Sequence, residues 1–476
     1  MGGHDVNTAL RGLLDEAQMS NIALGRAVVA AGAREGTHLG TNTTSVRRML
    51  DGGQPHWPVP RLVAAVLSAR LQREVSVSEC GFVDCAPPGE DPYDGLRCSG
   101  TLEGTVRTVV ELSGRDMRRR RFLLGSVFSV SVFAEPALFA LTVPPVESTA
   151  RAAGGQRVGM ADVEVLTEQI THLGKLGHQY GSGRVREQMV ALLHQEANQL
   201  LHGSYSEKTG KALLGAVARA TETAGFMSGD VGRHALAQRY HIQALDLALR
   251  AGDRCCAADI LQEAGRLTVR IGENASAGQD SLRYGRQAVA QARAGLTIAQ
   301  GTATPALAAK LHAVEARGFA LLGDAREARH AVAAAQRSYE SVSPEDAALF
   351  YTVNGFGADL GRCLSGIGDT EQAITFGTMA LRGCEPWVIR GLCVTQTDLA
   401  RTHLLGRDLE QAAALGRDAL RTAATLSSTI TVDRLLTLQR QVHLLRSASP
   451  HLTHLDDQIT GFLARTNRRQ PDDHAL

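Results

Sequence analysis

Apolar positions in residues 1–82 recur at helical spacing in four short blocks separated by polar or proline-rich breaks. Leu10, Leu13, Leu14 and Ala17 mark one side of a helix over Asn7–Gln18. Ser20 precedes Ile22, Ala23, Leu24, Ala27, Val28 and Ala31, a second helix with a packed face. From Gly40 to Pro60 the pattern sharpens. Val46, Met49 and Leu50 stand at i, i+3 and i+4 and form one stripe. Thr44, Ser45, Arg47 and Arg48 fall mostly off it. Thr43 or Thr44 can cap this helix by accepting from a first-turn amide. Gly52 and Gly53 end it, and Pro55, Pro58 and Pro60 bar its continuation. Leu62, Val63, Val66, Leu67 and Leu71 predict a supporting helix over Arg61–Gln72. This is the order of a helix-turn-helix domain, and residues 1–82 are assigned to one.

Residues 83–159 lose that regularity. Cys85 to Pro92 is a breaker cluster that reads as a linker, and Leu102–Leu112, rich in Thr and Val, reads as a short strand or irregular segment. Arg118–Arg121 precede Phe122-Leu123-Leu124 and an apolar run ending near Val143, superficially an export signal. The motif is internal, and Glu135 and Pro136 interrupt the run well short of the roughly 20 apolar residues a membrane helix needs. It therefore reads as a buried connector. Residues 160–466 are almost continuous helix signal, and they repeat. Gly229-Asp230, Gly323-Asp324, Gly368-Asp369 and Gly406-Arg407-Asp408 each lead to an Ala, with a second Ala seven residues on. The register Ala237, Gly285, Ala328, Ala373, Ala412 recurs every 39 to 48 residues. Seven residues are two helical turns, so both alanines share a face and let helix axes approach. These units are longer than the roughly 34 residues of a tetratricopeptide repeat. The fold class expected is mostly α: a small N-terminal helix-turn-helix domain, an irregular connector and a C-terminal tetratricopeptide-like α-solenoid. Residues 467–476 are expected to be a disordered tail.

Composition narrows function. A chain of 476 residues holds more than one domain. Aromatics at 4% favour small-residue helix packing over sheets. With 50 basic against 49 acidic residues, bulk charge does not announce a nucleic-acid binder. Residues 1–75 hold eight Arg against six Asp or Glu, a weak footprint unless a dimer doubles it. Eight scattered cysteines suggest reduced thiols and a cytoplasmic home. Cys80, Cys85 and Cys98 lack a convincing fourth ligand, so no metal is expected. Phosphate-loop, dinucleotide, zinc-protease and nucleophile-elbow motifs are all missing, and the 16 histidines are dispersed. Neither an enzyme nor a cofactor is expected.

Thr44 to Pro55 (T-S-V-R-R-x-L-x-G-G-x-P), Leu62 to Leu67 and Val75 to Phe82 together resemble the N-terminal region of a family of actinobacterial helix-turn-helix regulators. The best-known type is the Nsd type of Streptomyces, negative regulators of differentiation and antibiotic production. Gly225–Leu249, with Leu236-Ala237-Gln238-Arg239-Tyr240, resembles the same family's repeat region, and the Arg-Arg-x-Phe-Leu segment has a counterpart there. The resemblance implies repression of secondary metabolism and sporulation. Two departures stand out: the connection from Ala31 to Thr43 exceeds the usual 3–4-residue turn, and Met49 occupies a place where relatives often carry Trp.

The expectation is an intracellular transcriptional regulator. Thr41, Asn42, Thr43, Thr44, Ser45, Arg47 and Arg48 are the candidate DNA contacts. Arg bonds guanine edges or phosphates, Asn bonds adenine or phosphate, and hydroxyls anchor the backbone. A solenoid presents a concave surface made by the first helix of each pair, with Arg239, Gln243, Asn354, Arg362 and Gln396 as groove candidates for a protein, peptide or small-molecule ligand. A homodimer is expected, and no membrane association. The rival readings are an interaction scaffold or a peptide or small-molecule sensor without direct DNA contact.

Overall fold

Asn7 sets up the N-terminal helical unit. Its Oδ1 accepts from Leu10 N at 2.9 Å and starts helix α1 (Thr8–Glu16). Helices α2 (Asn21–Arg34), α3 (Thr43–Leu50) and α4 (Val59–Leu71) follow. The computed structural model describes residues 6–34, 39–71, 73, 75–82, 95–117, 128–142, 148–152, 155–275, 279–343 and 351–469. The apolar stripes read from the sequence converge. Leu10, Leu14, Leu24, Val28, Val46, Met49, Leu62 and Leu67 are buried in one core with Cys80 and Phe82. Each fully buried Leu contributes about 1.5–3 kcal/mol. Asn7 also ties the ends together: its N donates to Leu50 O at 3.0 Å and its Nδ2 to Cys80 O at 2.9 Å. The chain passes so close there that Gly81, at φ +69°, has no room for a Cβ, which would stand 2.3 Å from Asn7 Oδ1. Ser76 and Glu79 cap each other's amides at 2.7 and 3.1 Å, which fixes the last turn.

The chain's contacts divide it into two units, the second holding Gly95–Arg119 and Phe128–Arg469. Residues 83–159 were expected to be an irregular connector. Where described, they instead contribute two helices, α5 (Leu102–Met117) and α6 (Ala134–Thr142). The Thr- and Val-rich stretch is helix rather than strand because its hydroxyls find partners there. Thr105 Oγ1 donates to Asp246 Oδ2 at 2.6 Å and Thr108 Oγ1 to Gly104 O at 2.9 Å. The Arg118–Leu124 segment and the tail from 470 onward lie outside the described residues. Among the described residues, no helix is long and apolar enough to cross a membrane, and no β-strand is present.

After α7 (Met160–Tyr180), α8 (Arg186–Leu192) and α9 (Asn198–Leu201), the helices come in pairs. They are α10 (Glu207–Asp230) with α11 (His234–Ala251), α12 (Arg254–Asn274) with α13 (Gln279–Ile298), and α14 (Pro305–Leu321) with α15 (Ala325–Tyr339). Then come α16 (Val353–Gly366) with α17 (Thr370–Arg382), α18 (Ile389–Leu405) with α19 (Leu409–Ala423), and α20 (Thr429–Leu445) with α21 (Pro450–Arg469). The first helices of successive pairs pack side by side, which makes an α-solenoid. Ala237, Ala244, Ala328, Ala335, Ala373, Ala380, Ala412 and Ala419 are all buried at the paired faces.

The Gly-Asp signature has a local cause. Gly323 and Gly368 adopt the left-handed conformation that ends one helix (φ +74° and +80°), and Asp324 and Asp369 cap the next by accepting from Glu327 N and Gln372 N. In the third case the left-handed residue is Arg407 (φ +63°) rather than Gly406, and Asp408 caps α19. Gly229-Asp230 departs from the expected pattern: both residues lie inside α10, and the turn is made by Gly232 (φ +82°). Buried Asp230 instead closes the array. Its carboxylate accepts from Ser182 N at 2.9 Å and from Ser428 Oγ at 2.7 Å. Ser427 N donates to Tyr180 O and Gly183 N to Ser427 O, both at 2.9 Å. The loop entering the sixth pair thus returns to the first.

Candidate functional site

Two polar surfaces, one in each unit, concentrate chemistry. On α3, Val46, Met49 and Leu50 point into the core and hold the helix, so its opposite face is fixed in direction. That face carries Asn42, Thr43, Thr44, Arg47 and Arg48, all exposed, with Thr41 and Ser45 half-buried. Neither Arg47 nor Arg48 has an ion-pair partner among the described residues. The cap is not Thr43 or Thr44, as expected, but Asn42. Its Oδ1 accepts from Ser45 N at 3.0 Å and from Ser45 Oγ at 3.2 Å, which uses both lone pairs. The Asn42 amide can therefore only donate outward. The bidentate adenine contact needs Oδ1 as an acceptor, so a phosphate or a single acceptor is its remaining partner. Because α2 continues to Arg34, the connection to α3 shortens to residues 35–42.

In the solenoid, the first helices enclose a cavity of about 260 Å³. On one side Arg317, Asp359, Arg362 and Arg434 line it, and with Glu273 and Asp398 they form a closed ring of alternating charges. Arg317 Nη1 meets Asp359 Oδ1 at 3.0 Å, and Asp359 Oδ1 meets Arg362 Nη2 at 2.6 Å. Arg362 Nη1 meets Asp398 Oδ2 at 3.2 Å, and Asp398 Oδ1 meets Arg434 Nη1 at 3.0 Å. Arg434 Nη2 meets Glu273 Oε2, and Glu273 Oε1 returns to Arg317 Nη2, both at 2.8 Å. Three arginines and three carboxylates from α12, α14, α16, α18 and α20 close the loop with no net charge. Tyr351 adds a hydrogen bond to Asp359 Oδ2 at 3.0 Å. Charge-assisted pairs of this length are the strong kind. Arg317 and Arg434 outweigh the burial that would raise the Glu273 carboxyl, and hold it down at about 2.

Opposite the ring the balance changes. Arg266 is paired with Glu263 at 2.6 Å and Lys310 with Asp259 at 3.0 Å. Arg270 has no carboxylate partner among the described residues and only donates to Gly229 O at 3.2 Å. Arg390 reaches Asp230 at a long 3.6 Å and lies over the Phe226 ring, 4.7 Å from its centroid. Among the described residues, the Nε groups of Arg270 and Arg390, like those of Arg266, Arg362 and Arg434, and Nδ1 of His241 are buried without a hydrogen-bond partner. His178, 5.4 Å from Phe226 and 5.8 Å from Trp387 between ring centroids, completes an aromatic wall. Burial first, and then Arg390 and Arg266, hold the His178 imidazole down at about 3, so it is neutral at physiological pH.

Of the groove candidates, Asn354 and Arg362 line this cavity. Asn354 is buried and donates to Ala380 O and Thr395 Oγ1. Gln396 accepts from Thr422 Oγ1 at 2.9 Å and lies off the cavity. Arg239 and Gln243 are not groove residues. Every residue of α11 from Ala235 to Ala251 is buried, because segment 95–117 covers the helix. Gln243 Nε2 donates to Gly95 O and Arg97 O there, at 3.0 and 2.9 Å. Arg270, Arg390, Arg434, Glu273 and Asp398 were not singled out from the sequence. The available signal was Arg266 and Arg270 at i, i+4 on one helix face, a doubling of cations no surface role required. Residues 10–83 match the family described as SP15 N-terminal domain, a span that takes in α1 through the Ser76–Glu79 turn. No curated protein matches the chain.

Proposed function

We propose that this chain is a transcriptional regulator without enzymatic activity, in which the N-terminal unit works as a helix-turn-helix and α3 enters a DNA major groove. The observation that carries the reading is the outward face of α3. It is polar and basic, its arginines have no ion-pair partner among the described residues, and the stripe buried behind it fixes its direction. Arg47 and Arg48 reach guanine edges or phosphates, while Thr43, Thr44 and the Asn42 amide nitrogen hold the backbone. The small excess of positive charge in residues 1–75 makes paired half-sites and a homodimer the economical arrangement. The tetratricopeptide-like solenoid then receives the signal or partner. The resemblance to Nsd-type regulators supports repression of secondary metabolism and sporulation as the output, from within the cytoplasm.

Genome-wide recovery of bound DNA with the intact chain and with an Arg47→Ala, Arg48→Ala chain tests this. Discrete peaks that share a short sequence and vanish in the double variant are expected. Affinity for a recovered site falls steeply with salt, and the slope lessens by about 1 for each phosphate-bound Arg removed. Absence of peaks with either chain overturns the DNA reading and leaves an interaction scaffold.

A further inference from the structure

The solenoid cavity is unevenly charged. Its ring side is internally neutral, Arg266 is paired with Glu263, and Lys310 shares Asp259 with Arg219. The least well paired are Arg270, which has no ion-pair carboxylate among the described residues, and Arg390, whose Asp230 stands 3.6 Å away and also accepts from Ser182 and Ser428. Arg390 is only 7% exposed, yet its Nε has no acceptor. Burying a cation without a partner costs several kcal/mol. Two underpaired guanidinium groups on one wall, each with an Nε that has no acceptor among the described residues, leave donors for a group the chain itself does not supply. We propose that the cavity binds a small phosphate monoester, its dianionic group held by Arg270 and Arg390 and its flat organic part laid against His178, Phe226 and Trp387.

The donors select phosphate. Two underpaired guanidinium groups on one wall offer N–H donors to a dianion, and guanidinium forks fit phosphate oxygens in paired hydrogen bonds. The neighbouring wall selects a ring. Its aromatic faces favour a stacked planar group, and the neutral His178 offers a face and a ring nitrogen without adding charge. The volume, about 260 Å³, suits a small molecule rather than a threaded peptide. Burial, and then Arg390, Arg266 and Arg434, pull Arg270 down to about 10 despite the opposing pull of Asp230, the direction expected of a cation awaiting a counter-charge.

The inference deepens the sensing role proposed for the solenoid and stands on the cavity alone. Its test is calorimetric titration of the full chain with adenosine 5′-monophosphate, adenosine and inorganic phosphate. Saturable binding of the monophosphate is expected, displaced by millimolar inorganic phosphate and not by adenosine. Arg270→Gln is expected to weaken it at least tenfold while leaving the unliganded chain as heat-stable as before or more so, because it removes an underpaired, half-buried cation. A merely structural Arg270 would instead lower the melting temperature. Binding of neither phosphate species to the intact chain overturns the proposal, as does equal binding by Arg270→Gln. Should that variant fail to fold, Arg390→Gln and displacement by phosphate in the intact chain decide the matter. Arg47→Ala, Arg48→Ala leaves this titration unchanged, so failure of the DNA reading and failure of the ligand reading are separable.

Discussion

Arginine serves opposite ends in the two units. On α3, the Arg47 and Arg48 side chains stand exposed, with no ion-pair partner among the described residues. In the solenoid, Arg317, Arg362 and Arg434 are locked between carboxylates on neighbouring helices and are part of what the fold is made of. The difference is one of solvation. An exposed guanidinium is already hydrated, so it loses little by waiting for a ligand. A buried one must be paired when the chain folds, or it destabilises the fold. Arg270, half-buried, and Arg390, buried, lie between these limits, withdrawn from solvent more than α3 but less well paired than the ring. That intermediate state is what marks them as ligand groups.

Breaking one carboxylate of the ring gives the largest expected effect. Asp359→Ala leaves Arg317 with Glu273 alone, Arg362 with Asp398 alone and the Tyr351 hydroxyl without its acceptor, and a loss of about 3 kcal/mol is expected in urea unfolding. Arg47→Ala or Arg48→Ala should stay within about 0.5 kcal/mol in the same assay. A comparable loss at both places would erase the contrast.

Acid sharpens it next. Burial holds the His241 imidazole down at about 4, below the 6.5 of an unfolded chain. Between those values the unfolded state binds more protons. Stability is therefore complete above pH 6.5 and is lost as pH falls through 4, by about 3 kcal/mol from this residue. The solenoid should weaken over that window while the His-poor N-terminal unit does not. Urea midpoints followed by separate probes in each unit, at pH 7 and pH 4.5, check it, and His241→Gln should flatten the solenoid's response.

The smallest effect concerns the repeat turns. Arg407 takes the left-handed conformation that glycine takes at positions 323 and 368. Arg407→Gly is expected to stabilise by about 1 kcal/mol, a rise in melting temperature of a few degrees at most. No gain would mean that Arg407 makes up its backbone cost elsewhere.

Much of the fold was legible because it is written locally. The stripe Val46, Met49, Leu50 and the paired alanines are set by helical periodicity, and the structure buries them as that periodicity requires. The cap was misread because Asn42, Thr43 and Thr44 are all competent and stand in a row; only the backbone decides, and Asn42 is the one in an extended conformation. The strand reading of 102–112 followed β-branched composition, and tertiary partners overrode it: Asp246, 141 residues away from Thr105, rewards the helix. Arg239 and Gln243 have the look of surface residues, yet a segment far upstream in the chain covers them. The charged ring was out of reach for the same reason. Apart from Asp359 and Arg362, three residues apart, linked members lie 36 to 161 residues apart along the chain, and no pattern of spacing announces six partners that meet only after five helices have packed.

A closed circuit has a property an open stack lacks: it counts. Most helical-repeat arrays tolerate the gain or loss of a unit, because each unit meets only its neighbours. Here the carboxylate on α12 must meet the arginine on α20, and Asp230 must meet Ser428. Duplication or deletion of one helix pair between them would leave at least two buried charges facing the wrong partners. The number of pairs is thus written into the interior, and this array is free to change its surface far more readily than its length.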